Sequence, residues 1–228
     1  MERRKFTQAA FVTVATGPLA GWVLPAWALS ESDAAAGVRA ALEKGAAAAV
    51  SLLGRPDGFL ANPRVKIQLP KALEQAGKLL KAAGQGARVE GLVTAMNRAA
   101  EQAVPESRAL LQSAVRAMSV EDAVKIVKGG DTSVTEFFAG KTRAPLTDKF
   151  LPIVTRATER VKLAEQWNRL ADKTAGLNLL KGDEGNAQRY VTVRSLDGLY
   201  TMIGEEEKKL RADPGKAASA ILKKVFAR

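Results

Sequence analysis

The chain has 228 residues and contains neither cysteine nor histidine. Without cysteine there can be no disulfide, although exported proteins often use them. The double absence also removes Ser-His-Asp and Cys-His nucleophile pairs, zinc sites built on His and Cys, and haem held by either residue. Any remaining chemistry would run on carboxylates, Lys, Tyr or Ser, and no such constellation stands out. Glu205, Glu206 and Glu207 are consecutive, so on a helix they diverge rather than converge on one reacting atom, and they read as a solvated face. No Asp-x-Asp-x-Asp-Gly loop is present for calcium. The chain therefore reads as a non-enzyme without a cofactor or metal. Aromatic residues are sparse as well, with seven Phe, three Trp and two Tyr.

A long unbroken apolar run is also missing. Residues 6–29 are uncharged, but Gly17, Pro18, Gly21 and Pro25 break the stretch and Thr7, Gln8, Thr13 and Thr16 dilute it. A permanent membrane helix needs about 20 predominantly apolar residues. The layout is instead that of a cleavable signal peptide over residues 1–28. Arg3, Arg4 and Lys5 give a positive start, and the segment ends in Ala26-Trp27-Ala28, with small residues at the cleavage positions. The alternative is a buried or interfacial N-terminal helix. Arg3-Arg4-Lys5-Phe6 resembles a twin-arginine signal, which exports folded proteins, although Glu2 and Thr7-Gln8 depart from that pattern. No cysteine follows, which excludes a lipid-anchored lipoprotein. The expected location is the periplasm, in soluble form.

Cleavage would leave 200 residues and lower the net charge from +11 to +9, because Glu2 offsets one of the three lost cations. That length suits one domain with a real core. A basic envelope protein could meet anionic lipid or acidic polymers. Nucleic acid is disfavoured, because the cations are spread along the chain and interleaved with Glu and Asp. A solvated basic surface is the plainer reading.

Across residues 29–228 apolar residues recur at helical spacing, which predicts an all-α, single compact domain of about eight helices. Val38, Ala41, Leu42, Gly45, Ala49, Leu52 and Leu53 form one stripe, ended by Gly54. Arg55-Pro56-Asp57-Gly58 and Asn62-Pro63-Arg64 are turns. Val65, Ile67 and Leu69 alternate as in a strand, but the run is isolated, so it is expected to be an extended lid or strap lying across helices. Gly84-Gln85-Gly86 breaks the next helical stretch. Pro105 sits at a helix-opening position. Ser119 with Asp122, and Ser133 with Glu136, have capping-box spacing. A long pattern from Leu146 carries Pro152 in its first two turns, where proline costs least. The last long stripe runs through Tyr190, Val193, Leu196, Tyr200 and Ile203 to an exposed end at Glu205–Lys209, and Asp213-Pro214 opens a final helix.

Gly129-Gly130-Asp131-Thr132 lies at a helix N-terminus, where free N–H groups can hold an anion. Asp131 would compete as an internal cap, and a well-capped turn between helices is the plainer reading. Phe59, Met96, Phe137, Phe138, Trp167, Tyr190 and Tyr200 lie on helical stripes or beside turns. Such positions are usually core, yet some could line an apolar cavity, and spacing does not separate the two readings. The remaining core is mainly Ala with scattered Val and Leu.

Several stretches together resemble the bacterial exported proteins grouped as domain of unknown function 4197. They are Ala36–Leu42 with Ala49–Gly54; Asp57-Gly58-Phe59-Leu60 with Asn62-Pro63 and Val65-Lys66-Ile67; and Met96-Asn97-Arg98-Ala99-Ala100-Glu101 with Ala103-Val104-Pro105. Glu121-Asp122-Ala123, Gly129–Thr132, Leu196–Tyr200, Glu205–Lys209 and Leu222–Phe226 extend the likeness, while Leu177–Gln188 departs from it. The resemblance implies an all-helical envelope protein, likened in fold to a helical counterpart of lipocalins, with an interior able to hold an apolar molecule. It thus implies a carrier for a lipid or other apolar small molecule. The seven aromatic and Met positions are the candidate cavity lining, and Lys66 or Arg194 the candidate cation for a headgroup. The alternative is an envelope scaffold with a solid core and a basic surface.

Overall fold

The structure is a computed structural model, and it describes residues 31–122, 130–160, 162–171 and 182–213. The signal segment, Gly129, the core of the helix after Asp122, Gly176 and the final helix expected after Pro214 lie outside the described residues. Seven α-helices can be delimited, and no strand occurs among the described residues: α1 (Glu31–Leu53), α2 (Lys71–Leu80), α3 (Gly86–Ala103), α4 (Arg108–Arg116), α5 (Ser133–Arg160), α6 (Leu163–Ala171) and α7 (Ala187–Ala212). A π-helical turn (Lys81–Gln85) joins α2 to α3, and 3₁₀ turns precede α4 and α7. No helix among the described residues is long and apolar enough to cross a membrane.

The architecture is organised around α7, which packs along α1 and α5 and also meets α3 and α6. Its buried positions, including Tyr190, Val191, Ser195, Leu196, Leu199, Ile203 and Glu207, cover most of its circumference, as expected of a helix enclosed by neighbours rather than lying on a surface. Two glycines allow close approaches to α7. A Cβ on Gly198 would lie 2.7 Å from Phe59 Cε1 and 3.2 Å from Val65 Cβ, and one on Gly45 of α1 would lie 3.3 Å from Ile203 Cγ2.

The alternating segment is a strap, as expected. Residues 66–70 are extended without a strand partner, and Val65, Ile67 and Leu69 are buried. Its backbone polar groups must still be satisfied, and a helix side chain does this. Asn97 of α3 is fully buried. Its Oδ1 accepts from Ile67 N–H at 2.8 Å, and its Nδ2 donates to Ile67 C=O at 2.8 Å and to Val93 C=O at 2.7 Å. The amide thus offers the strap the donor–acceptor pair that a neighbouring strand would offer. Further along, Tyr190 O–H donates to Gln68 C=O at 2.9 Å. Before the strap, Glu101 accepts from Phe59 N–H and Leu60 N–H, both at 3.0 Å, while Arg98 bridges Glu101 and Asp57.

Three expectations are corrected. The exposed end expected at Glu205–Lys209 holds one buried carboxylate. Glu207 is only 4% exposed and accepts from Val134 N–H, Thr135 N–H and the Thr135 hydroxyl, capping α5 across the fold while Arg211 pairs with it. The Ser133–Glu136 capping box is replaced by this distant cap: Ser133 is already helical, and Glu136 bonds instead to the Thr132 hydroxyl. Finally, α5 runs unbroken through both Pro145 and Pro152. The two prolines are seven residues apart on one exposed face, and so are Lys141 and Asp148, whose carbonyls lose a donor. Water can serve those carbonyls, which lowers the usual cost of interior proline. The Ser119 cap forms as expected, with Asp122 N–H 3.1 Å from its hydroxyl.

Two substitutions test this account. Asn97→Leu strands the Ile67 N–H and C=O in the core and should cost about 2–4 kcal/mol. In an open helix Gly→Ala stabilises by about 1 kcal/mol, but Gly198→Ala should destabilise by about 1–3 kcal/mol, because it drives a methyl into Phe59. Urea unfolding followed by far-ultraviolet circular dichroism measures both.

Candidate ligand cleft

The nine candidate residues do not meet at one site. Phe59, Met96, Phe138 and Trp167 are at most 1% exposed and belong to one continuous apolar core. Trp167 leans on Tyr190 with ring centroids 5.4 Å apart, and its buried Nε1 has no hydrogen-bond partner among the described residues. For these four, the core reading of the helical stripes describes their place in the structure. Their burial is against other side chains, and the clefts of ligand size described here open to solvent.

Four of the clefts among the described residues are of that size. The first, about 360 Å³, lies between α4 and α5. Phe137 and Phe138 border it with Leu110, Met118 and Leu146, and its charges are mixed, Lys141 and Lys149 against Asp122. Lys141 sits 5.4 Å above the Phe137 ring. The second, about 400 Å³, runs between the strap and α7 and gathers Lys66, Tyr190 and Arg194. Those cations share it with Glu74, Glu184 and Asp197, and Arg194 is already engaged by Asp197 at 3.2 Å and by the Tyr190 ring. The third, about 410 Å³, holds Tyr200 and Arg143 together with Glu136, Asp197 and Glu205. Arg64 pairs with Glu205; burial pushes the Glu205 carboxyl up, but Arg64 and Lys208 hold it below the ordinary value.

The fourth cleft differs in size and in charge. It encloses about 620 Å³ between α6 on one side and the α2–α3 joint on the other. Leu80, Val89, Leu92 and Leu170 make its apolar floor, and Gln85, Gln166, Arg88 and Arg169 supply the polar groups. Among the described residues no carboxylate lines it, whereas each of the other three clefts has at least one. Arg88 bonds only to neutral Gln85, at 3.0 Å, while Arg169 reaches back along α6 to Glu165 at 3.1 Å. Its volume falls within the roughly 300–1,000 Å³ typical of small-molecule sites, which pair apolar walls with a few polar groups.

Local sequence builds this space. Gly84, at φ 77°, turns the chain between α2 and α3, so α3 leaves at an angle and a gap opens beside α6. Gly91 then keeps the gap clear: a Cβ there would meet nothing nearer than Gln166 Oε1 at 3.9 Å. None of the nine candidates lines this cleft. One available signal was Gly91 itself, an interior helix glycine that costs about 1 kcal/mol relative to Ala without marking a turn.

The two tyrosines, the only ones in the chain, offer a check on the packing around α7. Burial pushes both phenols above the ordinary value of 10.0, against the opposing pull of Arg194 on Tyr190 and of the Thr142 hydrogen bond on Tyr200. A group whose folded pKa is raised holds its proton longer when folded than when unfolded. The fold should therefore keep its stability below pH about 10 and lose it as pH rises further. Absorbance titration near 295 nm should find both phenols ionising above a free tyrosine standard. Ionisation at the standard's pH would mean exposed rings.

The model of the family described as "Protein of unknown function (DUF4197)" matches residues 28–227. No curated protein and no solved structure matches the chain.

Proposed function

This chain belongs to the DUF4197 family, and we propose that it is an exported, periplasmic carrier for an amphiphile with an apolar tail and an anionic head. The observation that carries this reading is the cleft between α3 and α6, with leucine and valine on its floor, two arginines at its rim and no carboxylate among the described residues that line it. An acyl tail would lie on Leu80, Val89, Leu92 and Leu170, gaining about 0.8 kcal/mol for each methylene removed from water. Arg88 or Arg169 would take the head through charge-assisted hydrogen bonds, which are stronger than neutral ones. The cleft between the strap and α7 at Lys66 and Arg194 serves this reading less well, because Glu74, Glu184 and Asp197 share its lining and Asp197 pairs with Arg194. The burial of Phe59, Met96, Phe138 and Trp167 in one apolar core speaks for a ligand held in a surface cleft. The envelope scaffold remains the second reading, and the network of Arg64, Glu205, Arg143 and Asp197 along α7 favours it.

Titration with a dansyl-labelled fatty acid tests the proposal. Trp167 lies on the helix that forms one wall, so saturable energy transfer from it to the probe is expected at one site. Two further methylenes on the tail should tighten binding about tenfold until the cleft is full. Arg88→Glu should weaken the carboxylate probe about tenfold while leaving a neutral alcohol analogue unchanged. Gly91→Phe fills the space without backbone strain and should abolish binding with stability retained. Absence of saturable binding, or binding indifferent to Gly91→Phe, would leave the scaffold reading.

A further inference from the structure

The joint that forms one lip of the cleft has a second property. From Gln75 to Val89 the chain carries Lys78, Lys81 and Arg88 and no carboxylate. Leu79, at the end of α2, is 72% exposed, the most exposed large hydrophobic side chain among the described residues. Lys78, Lys81, Ala82, Ala83 and Gly84 around it are also exposed. A Cβ on Gly84 would find nothing within 4 Å, so the tip of the elbow stands clear of the rest of the fold. The acids that flank the elbow do little to cancel its charge. Glu74 lies a turn before Lys78 on α2, and Glu90 on α3 reaches Lys81 only at 4.0 Å, with both side chains more than half exposed. Across the cleft, Glu165 is held by Arg169.

We infer that the α2–α3 elbow is a docking tip for an anionic lipid bilayer, with Leu79 entering the interface and Lys78, Lys81 and Arg88 meeting the headgroups. An isolated exposed leucine needs no explanation by itself. Here it crowns a projecting tip whose other exposed side chains are cationic or small, the combination that binds anionic interfaces. A protein partner of ordinary affinity would need a broad complementary face, whereas one leucine on a narrow tip between lysines fits a fluid surface. The inference deepens the carrier reading, because Leu80 and Arg88 belong both to the elbow and to the cleft lining. Docking through the elbow would set the cleft mouth against the bilayer, so that an amphiphile could pass between them without crossing water.

Sedimentation of the ligand-free protein with lipid vesicles tests this. Vesicles of equal parts phosphatidylglycerol and phosphatidylcholine should bind it, pure phosphatidylcholine vesicles should not, and molar salt should release it. Leu79→Ser should weaken vesicle binding about tenfold, and Lys78→Ala and Lys81→Ala about fivefold each. None of the three removes a buried group, so all should fold. Equal binding to neutral vesicles, no binding at all, or binding unaffected by these substitutions overturns the inference. So does a lipid-free dimer that Leu79→Ser dissolves, since a second copy would then be what covers the leucine. The fatty-acid titration, run without vesicles, separates the two ideas: vesicle binding that depends on Leu79 in a protein that takes no probe upholds the docking tip and removes the carrier.

Discussion

The fold depends on how an extended segment is accommodated inside a helical protein. Residues 66–70 bring Ile67 and Leu69 into the core but cannot pair their backbone as a sheet would. Burying an amide without a partner costs about 1–3 kcal/mol. Asn97 solves this by turning a side-chain amide toward Ile67, accepting from its N–H and donating to its C=O. The same arrangement recurs at two other junctions. Glu101 gathers the N–H groups of Phe59 and Leu60, and Glu207 those of Val134 and Thr135. Each of these polar residues is almost fully buried, and each ties a helix to backbone at least thirty residues away in sequence. Around them the core is mainly Ala, Val and Leu, whose contacts are weakly directional. The three polar anchors give it register.

The helices were largely legible from the stripes of apolar residues, because a helix that buries one face must repeat every three or four positions. Gly54, Gly84 and Ser119 marked boundaries that the structure keeps, since each acts through backbone geometry or a bond only three residues long. The alternation at 65–69 correctly indicated a strap. What could not be read was whatever depends on residues distant in sequence. Glu207 stands in a run of charges that reads as solvent-facing, and nothing near it tells of the α5 N-terminus it caps. Asn97 looks like an ordinary polar helix residue until Ile67 is placed beside it. The apolar pattern suggested a helix starting at Leu146, whereas α5 starts at Ser133 and carries both prolines on its exposed face. The motifs quoted for the family resemblance turn out to include these joints: Asp57–Leu60, Asn97–Glu101 and Leu196–Tyr200 meet around Phe59 and Gly198.

The candidate site was the least legible part. Aromatic and Met positions were natural guesses for a cavity lining, but large apolar side chains are also what a core of small residues needs to close its gaps. Phe59, Met96 and Trp167 do the latter. The cleft that fits an amphiphile uses residues with little individual signal: three leucines, a valine, an alanine, two glutamines, two arginines and a glycine, drawn from segments about eighty residues apart. Its charge is visible only as an absence, the missing carboxylate, and that becomes meaningful only once the lining is assembled in space.

A consequence follows for where such a fold can hold a ligand. Small residues let α1 and α5 approach α7 closely, as Gly45 beside Ile203 and Gly204 beside Thr135 show, so these helices lie directly against one another. Space remains where the helices fail to run alongside one another. Here that is the joint between α2 and α3, where Gly84 and the π-helical turn throw the chain off line. The turn that opens the cleft also pushes Leu79 and its flanking lysines outward, since residues on the outside of a bend have no neighbour to cover them. An apolar recess and an exposed cationic tip therefore arise together, from one departure from regular helix.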